Sequence, residues 1–75
     1  MSGVREAILD LALQRGREKS LCPSEVAKVL EPDEWQAMMP EVRRVAAGMP
    51  EILATQNGVE VDPLTARGPI RLRLR

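Results

Sequence analysis

Arginine is the residue type in this 75-residue chain with the most to offer a partner. Arg43 and Arg44 stand side by side, Ala47 follows one helical turn later, and Arg71, Arg73 and Arg75 alternate with leucine at the chain's end. A guanidinium presents a planar fork of donors matched to phosphate oxygens and to guanine O6 and N7, and a small residue beside it lets a helix approach closely. Arg67, with Gln56 and Asn57, adds groups suited to a nucleic-acid backbone. The same residues have a plainer account. Arg43 and Arg44 can pair with Glu41 or with the acids of 31–34 on an exposed helix, and alternating arginines protect a sheet edge from unwanted pairing.

Other chemistry is poorly provided for. The chain has no His and no Tyr, no phosphate-cradling glycine loop and no cluster of metal ligands, while Asp33, Glu34 and Glu41 are explained by helix starts. These residues predict no enzyme, no cofactor and no metal. Cys22, the single cysteine, precedes a predicted helix, a place where a thiol can be activated; with no histidine as base, it reads first as a small side chain at a cap.

The elements that must position these groups fit one domain, 1–75. A chain of this size removes only roughly 60 % of its surface from water on folding, so its core must be compact. The sequence is 44 % hydrophobic but has one aromatic residue, Trp35, which is expected to be the largest core anchor beside Leu, Val, Ile, Met and Ala. A lone cysteine fits a reducing cytoplasm, and charges at Glu6, Asp10, Arg15 and Arg17 suit neither a signal peptide nor a membrane span. Eleven basic and eleven acidic residues cancel, yet residues 1–30 carry +1, 31–62 carry −5 and 63–75 carry +4. The overall balance counts against strong non-specific DNA affinity without excluding a local basic patch.

Ser2 or Gly3 can cap a first helix reaching Gln14, ahead of Gly16. Val4, Ile8 and Leu11 share one face of it and Leu9 and Leu13 the other, so it needs covering on both sides or meets another molecule. Residues 20–22 read as a short extended piece, and Pro23 opens a second helix with Val26, Val29 and Leu30 as its apolar stripe. Asp33 is expected to cap a short turn over 33–38. Pro40 then starts a separate helix to Gly48, with Val42, Val45, Ala46 and Met49 inward and Pro40, Arg43, Arg44 and Ala47 outward. Met38, Met39 and Met49 read as core filler. Residues 52–56 and 59–61 flank Asn57-Gly58 as a hairpin, and 70–75 alternates as a strand with Ile70, Leu72 and Leu74 inward. The order predicts an α+β winged helix: three helices forming a helix-turn-helix core, with a small antiparallel sheet and a C-terminal wing.

The strings Cys22-Pro23-Ser24-Glu25-Val26-Ala27, Trp35 with Met39-Pro40-Glu41-Val42-Arg43, Thr55-Gln56-Asn57-Gly58, and Val61-Asp62-Pro63 with Arg67-Gly68-Pro69-Ile70-Arg71-Leu72 occur here together. In combination they resemble a family of short bacterial proteins that carries only a domain-of-unknown-function label. The resemblance spans residues 5–74 and implies a winged-helix-like fold with a DNA-binding possibility, but it brings no site residues. Ala47-Gly48-Met49-Pro50-Glu51 departs from the family in ending the third helix early. Two readings stay open. One is a DNA-binding or transcription-related winged helix using Arg43, Arg44, Ala47, Gln56, Asn57, Arg67, Arg71 and Arg73. The other is an interaction or homodimerisation module, with Leu9 and Leu13 the first suspects.

Overall fold

The computed structural model describes residues 3–75, which fold as α1 (Gly3–Arg15), α2 (Pro23–Leu30), α3 (Trp35–Ala47), β1 (Ile52–Gln56), β2 (Val59–Glu60) and β3 (Arg71–Leu74). The cap expected at Ser2 lies outside the described residues. The sheet is antiparallel in the order β2-β1-β3. Leu21 extends it beyond β3, because its amide donates to the Leu72 carbonyl and its carbonyl accepts the Leu72 amide, each at 2.8 Å. The short extended piece between the first two helices is therefore part of the sheet, and it ties the start of the domain to its last strand.

Local chemistry fixes the ends of these elements. Gly16, at φ 78, stops α1 in a conformation that side chains resist. Pro23 opens α2, and the Glu25 carboxylate returns to accept the Cys22 amide at 2.8 Å, satisfying a donor left over at the helix start. Asn57 and Gly58 both take positive φ, 54 and 80, as a two-residue hairpin that keeps the strands' right-handed twist requires.

Three expectations are corrected. Pro40 does not begin a separate helix: α3 runs unbroken from Trp35, with Glu34 and not Asp33 as its N-cap. A proline here removes only the donor that would meet the Gln36 carbonyl, and Gln36 is exposed, so water can serve that carbonyl. Trp35 is not the central anchor. It occupies the first turn of α3, at the domain's margin, half-buried with the Lys28 ammonium 4.6 Å from its ring centre. The centre is aliphatic instead, with Ile8, Leu21, Val26, Val42, Ile70 and Leu72 sealed from solvent around Ala12, Ala27, Ala46 and Ala54. Val29 is 63 % exposed, since the buried stripe of α2 runs through Pro23, Val26, Ala27 and the half-buried Leu30, and Val29 points off that line.

The third helix ends at Ala47 with Gly48 as its cap, and it reaches 13 residues because it starts at Trp35, five residues before Pro40. Helix α1 packs against α2, α3 and β3. This covers Ile8 and Ala12 fully and Val4, Ala7, Leu9 and Leu11 in part, but leaves Leu13 63 % exposed.

Candidate recognition surface

Residues 61–69, the irregular stretch between β2 and β3, fold back on α3. Asp62 organises their start: its Oδ1 accepts the Leu64 amide at 2.8 Å, and its carbonyl accepts the amides of Thr65 and Ala66. Arg43 holds the rest. Its Nη1 donates to the carbonyls of Ala66 at 2.8 Å and Pro63 at 3.4 Å, and Nη2 donates to that of Gly68 at 2.6 Å. On the other side Gln56 Nε2 donates to the carbonyls of Arg67 and Pro69. Gly68, at φ 84, lets the chain turn between these two clasps.

Two residues thought to face DNA thus bond the protein's own backbone. Arg44 is exposed but bonded twice to Glu41, at 2.9 and 2.5 Å; that contact pulls the Glu41 carboxyl below its ordinary range and raises the guanidinium further. Arg71 donates to the Ser20 hydroxyl at 2.9 Å and the Ser20 carbonyl at 3.1 Å. Arg73, half-buried, keeps its Nε out of water with no hydrogen-bond partner among the described residues. Asn57 is exposed at the hairpin tip, Ala47 at the end of α3, and Arg67 on the folded-back loop, where its side chain has no ionic partner among the described residues.

The register decides which of these residues gather. Leu72 points into the core, so Arg71 and Arg73 lie on the opposite, outward face of β3, whereas α3 packs on the core side through β1. The strand arginines therefore do not share a face with Arg44 and Ala47. The approach to α3 is acidic as well, with Glu31, Asp33 and Glu34 all exposed immediately before its first turn.

An apolar hollow, lined by Met39, Pro40, Arg43, Pro63 and Leu64, was not legible in the sequence. Leu64 stands 60 % exposed at its edge. The one hint was Asp62-Pro63, a turn-starting pair followed by a leucine that a solvated loop does not need.

Cys22 is half-buried and accepts a hydrogen bond from the Ser24 hydroxyl at 3.0 Å. No group of three or more His, Cys, Asp or Glu among the described residues can hold a metal ion. None of their helices is long and apolar enough to cross a membrane.

Three helices, a bridging segment after the first and an antiparallel sheet after the third make this a small α+β domain of winged-helix-like architecture. The chain belongs to a family of proteins of unknown function (DUF3253), whose model matches residues 2–75. A comparison with curated proteins finds no match.

Proposed function

We propose that this domain is a non-enzymatic protein-interaction module that engages its partner through α3 and the folded-back loop 61–69. The observation that carries the reading is the apolar hollow of Met39, Pro40, Pro63 and Leu64 on the outward side of α3. A helix that reads a major groove needs donors and cations on that side. Here Arg43 is engaged by three carbonyls, Arg44 is matched by Glu41, and a half-exposed leucine faces outward. A partner presenting an apolar side chain would gain by covering that surface. The lone cysteine supports a cytoplasmic setting.

DNA binding is the second reading, favoured by the exposure of Arg44, Ala47 and Arg67. Homodimerisation through Leu9 and Leu13 has less to work with, because Leu9 packs partly against the core and Leu13 alone stands out.

Selection from a displayed random-peptide library separates these readings when paired with duplex-DNA anisotropy at low salt. Peptides carrying a shared apolar residue are expected, with binding lost in Leu64→Asp and no anisotropy change at tens of micromolar protein. Salt-sensitive DNA binding abolished by Arg44→Ala with Arg67→Ala would reverse the assignment.

A further inference from the structure

Arg43 lines the apolar hollow with Met39, Pro40, Pro63 and Leu64, yet none of its three acceptors is a carboxylate. A guanidinium has five N–H groups to place. The carbonyls of Pro63, Ala66 and Gly68 take donors from Nη1 and Nη2, whereas Nε is open to solvent and has no acceptor among the described residues. The carbonyl dipoles orient the fork without cancelling its charge.

Arg67 adds a second cation at the same place. It stands between Ala66 and Gly68, whose carbonyls both rest on Arg43, and its own carbonyl is held by Gln56, so its backbone is fixed from two sides. Its side chain is exposed and has no ionic partner among the described residues. The neighbouring acids do not make up the difference. Glu41 is matched by Arg44, and Asp62 already accepts the Leu64 amide through Oδ1. Arg43, Arg44 and Arg67 against Glu41 and Asp62 leave the outward side of α3 and its loop positive.

We infer that the partner of this surface docks as a peptide segment in which a large apolar side chain lies close to an Asp or Glu. The apolar side chain covers Met39, Pro40 and Leu64, and the carboxylate meets Arg43 Nε and Arg67. This rests on the interaction reading above and adds the partner's charge to it. Affinity comes from removing Leu64 from water, while the carboxylate sets the register, because an acid at the wrong spacing leaves the fork unmatched. A nucleic-acid backbone would meet the cations but has no apolar group to cover Leu64.

Selection from a displayed library with a fixed leucine and four random residues on each side tests the inference. Asp or Glu is expected to be enriched at one constant distance from the leucine. A selected peptide and its Asn or Gln twin, compared by fluorescence anisotropy, should differ by about fivefold or more at low salt, with the gap closing near about 1 M salt. Arg67→Gln should reduce that discrimination, and Arg43→Lys should reduce it with the NMR signals of the 61–69 amides kept in place. Selected peptides with neutral flanks would overturn the inference and leave the interaction reading standing, since Leu64→Asp tests that reading by itself. Unchanged discrimination in Arg67→Gln would overturn it too, as would displacement of the peptide by an equal concentration of duplex DNA. A library that yields no binder removes both.

Discussion

The guanidinium of Arg43 lies 2.8 Å from the carbonyl of Ala66, 23 residues further along the chain, and through this bond α3 holds the 61–69 loop in place. Two more carbonyls share the same fork. Only arginine can serve three acceptors in this way, since a lysine offers a point charge without the planar spread. Arg43→Ala is expected to cost about 1–2 kcal/mol, at the low end for hydrogen bonds to a charged group because the side chain is only half-buried. Arg43→Lys should recover part of that. Denaturant unfolding gives the cost, and hydrogen exchange should accelerate selectively over residues 64–68.

The last strand should prove indispensable. Leu72 is wholly buried, pairs with Ala54 and exchanges two hydrogen bonds with Leu21, so Leu72→Ala should lose about 2–5 kcal/mol. Deleting residues 70–75 removes Ile70 as well and should abolish cooperative unfolding. Leu13→Ala, at an exposed position, is the control and should stay within about 0.5 kcal/mol of the parent. Thermal unfolding followed by circular dichroism measures all three.

Acid should weaken the junction between α1 and α2. Glu25 accepts a hydrogen bond from Arg15 and another from the Cys22 amide, and these hold its carboxyl below the ordinary glutamate range. A carboxyl whose folded pKa is depressed contributes stability that is present above its unfolded pKa and is lost as the pH falls through the folded value. Glu25→Gln should flatten this part of the profile and lower stability at neutral pH by a small amount, since the pair is partly open to solvent. The same pH slope in parent and variant would contradict the assignment.

The hairpin tip offers a test of backbone strain alone. Nothing lies within 4 Å of a Cβ placed at Gly58, so Gly58→Ala meets no clash and pays only for positive φ, about 1–2 kcal/mol. Asn57→Gly relieves the same strain next door and should be neutral or slightly favourable. Denaturation midpoints decide between them.

Much of the fold was written locally. Gly16, Pro23 and Asn57-Gly58 mark ends and turns through their own backbone preferences, and the alternation from Ile70 to Arg75 assigns one face to the core whatever the neighbours are. The inward set of α3, with Val42 and Ala46 buried, follows from helical spacing in the same way, and Met49, just beyond the helix end, is buried too. Arginine was equally visible as a type, but its role was not. A guanidinium suits phosphate, carboxylate and backbone carbonyl alike, and the sequence does not say which acceptor lies within reach. That depended on the loop 61–69 returning to α3, which brought the carbonyls of Pro63, Ala66 and Gly68 to Arg43 and left a hollow beside Leu64. Trp35 and Pro40 were misjudged for a related reason. Size and ring geometry set what a residue prefers, while its position on the packed element decides whether the fold meets that preference: Trp35 fell at the margin, and Pro40 fell where the carbonyl that loses its donor belongs to an exposed residue, Gln36.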